Sequence, residues 1–276
     1  MRVTTLLENS SISSVFKSAH GLSLLIESAD FKILFDTGPD DSFIHNSKIL
    51  NEDLTEVFYI VLSHGHYDHT GGLPSIMALN ETAPVYFMHD ANGLLYSKQS
   101  DSTYKDIGMP IRNFSNPRFH LIKDKCKISE VISILSVKER NGFVPDSNNS
   151  LYKKKDDIFI EDDFSHELIL CVKEEDGLVV FTGCSHAGIS NMLETVSKEF
   201  PTEKIKAVFG GMHLYSRSNQ KSEENFRIKQ LSDELLKYKE CHFYTGHCTG
   251  EAAFKILENV FDGRLHQIKT GKVHDI

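Results

Sequence analysis

The sequence lacks any apolar stretch near the roughly 18 residues that a membrane-spanning helix requires, so we expect no membrane segment. Its opening, MRVTTLLENSSISSVF, has one arginine but neither a continuous apolar block nor a small-residue cleavage site, and no secretory leader is predicted. The five cysteines are odd in number and form no Cys-x-x-Cys pair, which argues against a disulfide framework. These absences together favour a cytoplasmic protein.

Positive charge is also scarce, because 30 lysines and arginines face 39 aspartates and glutamates, for a formal net charge of −9. An acidic chain is poorly suited to coating nucleic acid or an anionic membrane, although a local basic pocket can still hold a phosphate. No glycine-rich nucleotide loop is present, since the GG pairs at 71–72 and 210–211 are too short. We expect a small-molecule anionic substrate and no nucleic-acid partner, and the sequence leaves the oligomeric state open.

Short apolar runs typical of strands fill the first part of the chain, at 1–9, 22–28, 31–38, 57–63 and 83–90. The later part begins with a hairpin pattern over 167–183, two apolar runs around EEDG. It continues with helical patterns at 188–199, 226–236 and 251–261 and with strand-like runs at 205–211 and 241–246.

Two strand-rich halves, with helices concentrated late in each, predict two sheets packed face to face with helices outside. This is an αββα arrangement of the α/β (α+β) class. The segment 97–157 is polar and weakly patterned, apart from the apolar run ISEVISILSV. We therefore expect a single domain over 1–276 in which 97–157 is an inserted cap.

One segment, VLSHGHYDHTGG at 61–72, places four metal-ligand side chains within six positions directly behind an apolar run. In an extended segment, residues two apart point the same way, so His64 and His66 present two imidazoles to one metal. Asp68 and His69 follow on a turn, where TGG permits tight backbone conformations, and they offer a carboxylate and an imidazole to a second metal. The spacing therefore predicts a dinuclear metal site.

The motif His64-x-His66-x-Asp68-His69 with TGG resembles the signature of the metallo-β-lactamase superfamily. The resemblance implies a four-layer αββα sandwich whose remaining ligands are a histidine, a bridging aspartate and a final histidine. The matching positions are His166, Cys184 and His247. The segments HGLSLLIE, FDTG, GLVVFTGCSHAGISN, VFGGMHL and TGHCTG are similar to the branch that contains dihydropterin-ribofuranosylaminobenzene phosphate synthase. The similarity covers nearly the whole chain except 97–157, so substrate identity does not carry over.

Cys184 stands where the superfamily usually has a carboxylate, and its thiolate is a softer ligand that favours zinc. His186, two residues later, is an alternative ligand or a proton donor. His213 follows GGM, whose glycines permit close approach of a ligand, and we assign it to substrate or phosphate contact. Asp36 in FDTG is expected to hydrogen-bond a histidine ligand. Seven other histidines, among them His20, have no ligand spacing and are assigned to the surface or to packing.

These residues favour a hydrolase with two divalent metal ions, zinc before manganese or iron. A metal-bridging hydroxide would attack a small phosphate-bearing or ester substrate. We assign Asp68, His186 and His213 to catalysis, with Asp68 orienting the nucleophile and carrying a proton to the leaving group.

Three other functions stay open. A pterin-related synthase, as in the resembled branch, would need a cleft for a flat ring, for which Phe114, Phe119, Phe143 and Tyr152 are candidates. An iron-dependent oxygen or nitric oxide reductase is disfavoured, because His66 replaces the glutamate of those sites and no flavin module is appended. The third is a non-catalytic metal- and ligand-binding protein.

Overall fold

The computed structural model describes residues 1–276, which form twenty β-strands and six α-helices. The strands are β1 (Arg2–Leu7), β2 (Ser23–Glu27), β3 (Lys32–Phe35), β4 (Tyr59–Val61), β5 (Val85–Met88), β6 (Leu94–Lys98), β7 (Tyr104–Asp106), β8 (Phe119–Ile122), β9 (Lys125–Lys127), β10 (Ile132–Ser136), β11 (Leu151–Lys155), β12 (Ile158–Glu161), β13 (Leu168–Glu174), β14 (Gly177–Phe181), β15 (Ile205–Phe209), β16 (Tyr215–Ser216), β17 (Lys221–Ser222), β18 (His242–Thr245), β19 (Leu265–Gln267) and β20 (Val273–Asp275). The helices are α1 (Ser42–Ile49), α2 (Tyr67–Thr70), α3 (Leu73–Leu79), α4 (Ile189–Glu199), α5 (Asn225–Leu235) and α6 (Glu251–Phe261).

The chain forms two compact units. The first unit comprises Met1–Gly93, Ile107–Lys123 and Ile268–Ile276, and the second unit comprises Leu94–Asp106 and Asp124–Gln267. None of the helices combines the length and the apolar character needed to cross a bilayer.

The first unit is built on a seven-stranded sheet with the order β20-β1-β2-β3-β4-β5-β8. Strands β20 to β3 pair antiparallel, whereas β3, β4, β5 and β8 run parallel. The predicted strands supply core residues such as Leu25, Leu34 and Phe87, and helices α1 and α3 add Phe43 and Ile76. The sequence patterns do not predict these two helices, which have eight and seven residues. A helix of two turns repeats its apolar spacing too few times to be recognised.

The second unit contains another seven-stranded sheet, with the order β19-β18-β15-β14-β13-β10-β9. The hairpin predicted over 167–183 is present as β13 and β14, and β14, β15, β18 and β19 run parallel. Helices α4, α5 and α6 contribute Leu193, Leu231 and Leu257 to the core, so the three predicted helical patterns are confirmed. Phe226, part of the apolar pattern of α5, is instead 66% exposed.

The segment 97–157 contains strands of three different sheets. β8 belongs to the sheet of the first unit, and β9 and β10 belong to the seven-stranded sheet of the second unit. β7 and β11 belong to a four-stranded antiparallel sheet, β12-β11-β6-β7. The weak patterning therefore reflects short strands of three to five residues rather than an absence of regular structure. That this segment caps a substrate pocket stays a prediction.

Candidate metal centre

The motif of the first unit lies at the ends of two neighbouring strands. β3 and β4 are parallel, so their carboxyl ends meet at one edge of the sheet. Asp36 follows β3, and its N–H donates to the carbonyl of Val61, the last residue of β4. The motif histidines follow β4 directly, and Asp68 and His69 lie in helix α2. The strand order therefore brings Asp36 to the motif from another part of the chain.

Three imidazoles of the motif are buried against one another. His64 and His69 have no exposed surface, and His66 is 4% exposed. His64 Nε2 lies 3.0 Å from His66 Nδ1, and the ring centres of His64 and His69 are 4.2 Å apart. Two buried ring nitrogens this close share either one proton or one cation. This donor set of imidazoles beside a carboxylate suits zinc, manganese or iron.

Asp36 sets the tautomer of two of these histidines. Its carboxylate accepts from the Ser63 N–H and the Ser63 hydroxyl, both at 2.7 Å, and from His69 Nδ1–H at 2.6 Å. Since the Ser63 hydroxyl donates to Asp36, its oxygen accepts from His64 Nδ1–H at 2.9 Å. Both histidines are thereby left with an unprotonated Nε2, the form that binds a metal. The predicted hydrogen bond between Asp36 and a motif histidine is confirmed.

Two imidazoles of the first unit lie near the Asp68 carboxylate. Its Oδ2 lies 3.8 Å from His69 Nε2 and 3.4 Å from His20 Nε2. His20 has no ligand spacing in the sequence and was therefore expected at the surface or in packing. Its side chain is 24% exposed, and the carboxylate beside it is the proposed catalytic group. His20 is therefore a functional candidate that spacing rules miss.

The glycines of TGG are required for close packing rather than for a left-handed turn. Gly71 has φ −62°, an ordinary helical value. A Cβ on Gly71 would lie 2.1 Å from the Pro39 carbonyl oxygen, so any side chain there would push the motif away from the loop after β3. The prediction of a tight segment is correct, but its cause is this backbone contact.

In the second unit, the predicted residues come from four separate loops. β14, β15 and β18 are parallel neighbours, and the loops after them carry Cys184, His213 and His247. His166 precedes β13, which is antiparallel to β14, so His166 lies at the same edge of the sheet. Cys184, His166 and His247 are each less than 5% exposed. The topology thus collects residues that are far apart in the sequence.

His166 is paired with a buried carboxylate. Its Nε2 lies 3.0 Å from Asp162 Oδ2, and Asp162 also accepts from the Phe164 N–H at 2.8 Å. Burial lowers the pKa of His166, but the charge and the hydrogen bond of Asp162, with the charges of Glu167 and Asp163, together raise the pKa above its ordinary value. Asp162 was not predicted as a partner of His166, although its spacing of four residues from His166 in a loop is a usable signal.

His186 is held on several sides. Its Nδ1–H donates to Asn148 Oδ1 at 3.0 Å, and Asn148 returns a 2.8 Å bond to the His186 carbonyl. The ring stacks on Phe164 at 4.7 Å, and Glu167 accepts the N–H groups of His186 and Ala187 at 2.8 Å each. A ring nitrogen of His186 lies within 4.8 Å of Cys184 Sγ, so the alternative that His186 supplies a metal ligand stays open. The fixed Nδ1–H leaves Nε2 as the reactive nitrogen.

Several residues of these loops have strained backbones. Asp36, Phe164, Ser185, His213 and His247 all have positive φ, between 49° and 59°. Such conformations cost about 1 to 3 kcal/mol each and tend to cluster at functional sites. The loops of both units are therefore held in place by surrounding contacts rather than by local preference.

The aromatic side chains that were candidates for binding a flat substrate ring mostly pack against other residues of the chain. Phe114 and Phe119 both contact Phe87 in the core of the first unit, with ring centres 5.5 Å apart in each case. Phe143 is 3% exposed beneath the guanidinium of Arg227. Tyr152 lies on β11 with its ring against Tyr104.

A family model and a curated relative both place the chain in one superfamily, the relative over nearly its full length. A family model described as the metallo-beta-lactamase superfamily matches residues 19–148. The 7,8-dihydropterin-6-methyl-4-(beta-D-ribofuranosyl)-aminobenzene-5'-phosphate synthase of Methanocaldococcus jannaschii is 30% identical over 288 residues, which covers 99% of this chain and 96% of that protein.

Solved structures give the same result. One described as a metal-dependent hydrolase of the beta-lactamase superfamily is 30% identical, with a TM-score of 0.83, covering 100% of this chain and 99% of its own. The metallo-beta-lactamase fold protein YhfI of Bacillus subtilis is 15% identical, with a TM-score of 0.56 over 99% of each chain, which is a likeness of fold alone.

Proposed function

Because the chain belongs to the metallo-β-lactamase superfamily, we propose that it is a divalent-metal-dependent hydrolase of a small phosphate-bearing or ester substrate. The predicted fold class, the α+β fold of this superfamily, is confirmed by the full-length structural match. The observation that carries the proposed activity is the buried set of His64, His66 and His69, with two of their tautomers set by Asp36.

We assign two divalent metal ions to this protein, zinc before manganese or iron. The proposed ligands combine the motif with the matching superfamily positions: His64, His66, Asp68, His69, His166, Cys184 and His247. Unprotonated Nε2 atoms on His64 and His69 and a carboxylate on Asp68 support the first part of this set. When bound, such ions lower the pKa of water to about neutrality and polarise the oxygen of a phosphoryl or carbonyl group.

Asp68 is the proposed general acid and base. Its side chain is 11% exposed, and His20 at 3.4 Å can stabilise its charged form or exchange a proton with it. It would take a proton from the attacking water and return one to the leaving group. His186 is proposed as a second proton carrier, since its Nδ1–H is fixed by Asn148 and its Nε2 can accept a proton.

The substrate is proposed to be small. The net charge of −9 disfavours a long nucleic acid, and weak or no β-lactam hydrolysis is expected. None of the five cysteines is in a disulfide, which is consistent with the proposed cytoplasmic location.

Elemental analysis joined to an activity screen tests the proposal. The purified chain should contain up to about two zinc or manganese ions and should hydrolyse at least one of a set of phosphomonoesters, phosphodiesters, lactones and thioesters. His64→Ala should lose metal and activity together. His89→Ala, a change at a half-exposed histidine beside Asp90, should keep both. Full metal content in His64→Ala would refute the ligand assignment.

The 30% identity to a synthase over nearly the whole chain supports one alternative, a pterin-related synthase activity. Its test is turnover of a pterin substrate with no hydrolysis of any ester in the screen. A non-catalytic binding protein would show metal and a retained small molecule without turnover of either class.

A further inference from the structure

Hydrogen bonds connect three loops of the second unit, two of which carry the sulfur atoms of Cys184 and Cys248. The Gly211 N–H donates to the Gly183 carbonyl at 2.7 Å, which joins the loop after β15 to the loop after β14. The Met212 N–H donates to Thr249 Oγ1 at 3.0 Å, which joins the loop after β15 to the loop after β18. Cys184, His213 and Cys248 lie in these three loops. Their positions relative to one another are therefore set by direct hydrogen bonds.

The ligand atoms of these three residues face one another. The sulfur atoms of Cys184 and Cys248 and a ring nitrogen of His213 all lie within 4.8 Å of one another. Both cysteines are 3% exposed. Both ring nitrogens of His213 are buried without a hydrogen-bond partner of acceptable geometry, which is a costly state for an imidazole. A buried imidazole beside two sulfur atoms is the donor set of a metal site.

The backbone makes room for the second sulfur. A Cβ on Gly211 would lie 2.4 Å from Cys248 Sγ, so only glycine at this position admits the thiol. Cys248 Sγ also lies 3.7 Å from the Cys184 carbonyl, where the thiol can donate a weak hydrogen bond. His213, which lies in the same loop as Gly211, has a strained positive φ of 49°.

Two other cysteines of this unit lie in its apolar core. Burial raises the pKa of Cys171, and it raises the pKa of Cys241 to about 12, as expected for buried thiols. Cys248 differs from them in its surroundings, because its sulfur lies within 4.8 Å of Cys184 Sγ and of a ring nitrogen of His213.

We propose that Cys184, Cys248 and His213 form a soft-metal subsite that binds zinc through two thiolates and one imidazole, with a fourth position left open. Three protein ligands and one open position are the arrangement of catalytic zinc sites. Two thiolates select zinc over magnesium or manganese, because those ions prefer oxygen ligands. The subsite shares Cys184 with the proposed metal centre and in that respect rests on the proposed function. It gives His213 a ligand role in place of substrate contact.

Cadmium or cobalt substitution tests the subsite without relying on activity. The metal-free chain reloaded with Cd²⁺ should show thiolate-to-metal charge-transfer absorption in the ultraviolet. In Cys248→Ser this absorption should fall to about half, because one of two thiolates is lost. Cys241→Ser removes an equally buried thiol outside the subsite and should leave the absorption unchanged, with folding of each variant checked by circular dichroism. Absorption that is missing in the parent, or unchanged in Cys248→Ser, overturns the proposal.

A second measurement uses the unaltered chain. Alkylation of Cys248, located by peptide mass analysis, should be slow with zinc bound and fast after chelation, while Cys241 stays slow in both states. If zinc does not protect Cys248, the subsite is excluded. A Cys184–Cys248 disulfide in the chain purified without reductant would likewise overturn it. Charge-transfer absorption in a chain without hydrolase activity would refute the proposed function and leave the subsite standing.

Discussion

The two units use the same kind of scaffold but collect their polar residues in different ways. Each has a seven-stranded sheet whose strand ends carry histidines. In the first unit, four candidate ligands lie within six positions, and one carboxylate, Asp36, supports two of them. In the second unit, the candidates are spread over 166–248, and His166 and His186 have separate partners, Asp162 and Asn148. A motif whose residues are close in the sequence can be recognised from the sequence alone. Recognition of a dispersed set also requires knowing which strands are neighbours in the sheet.

The largest expected effect comes from His69→Ala in the first unit. It removes a proposed ligand and leaves the buried Asp36 carboxylate without its histidine donor, at a cost of about 1.5 to 3 kcal/mol. Metal content by elemental analysis should fall, and the metal-free protein should unfold at lower denaturant concentration. The control is His89→Ala. An unchanged midpoint in the metal-free state would mean that Asp36 is satisfied by Ser63 alone.

Substitution of the two carboxylates that hydrogen-bond proposed ligands, Asp36 and Asp162, tests the difference between the two units. Asp36→Asn should weaken metal binding by roughly 100-fold and Asp162→Asn by roughly 10-fold, the two ends of the range for such outer partners. The difference is expected because Asp36 acts on His64 and His69, whereas Asp162 acts on His166 alone. Competition with a chromophoric chelator measures both constants. Equal losses of metal affinity in the two variants would show that the contact of Asp36 with two histidines has no added effect.

The smallest effect is expected at Glu167, which supports a backbone rather than a ligand. Glu167→Gln replaces one acceptor of the His186 and Ala187 N–H groups with an amide donor, so it should destabilise the chain by about 1 to 3 kcal/mol. Metal affinity should change little, since no proposed ligand is removed. Denaturant unfolding gives the stability, and Glu175→Gln at an exposed hairpin position is the matched control. A large loss of metal would instead give Glu167 a direct role at the centre.

Features that are local in the sequence were predictable, whereas features that arise from contacts between distant segments were not. The strands, the hairpin over 167–183 and helix α6 were predictable because their apolar spacing is local. The motif and its bond to Asp36 were also predictable, from spacing and from a short FDTG segment. His20 and Cys248 were not, because their importance arises from contact with Asp68 and with Cys184. Contacts of this kind depend on the order of parallel strands, which no short pattern records.

The dependence of two histidines of the first unit on one carboxylate also has an evolutionary consequence. Asp36 orients His64 through the Ser63 hydroxyl and orients His69 directly by its own oxygen, so one substitution at Asp36 would disturb two proposed ligands at once. His166 and His186, by contrast, rest on separate partners, Asp162 and Asn148, and each pair can change independently. New substrate preferences in this lineage should therefore arise by stepwise replacement in the second unit, while the first unit stays fixed.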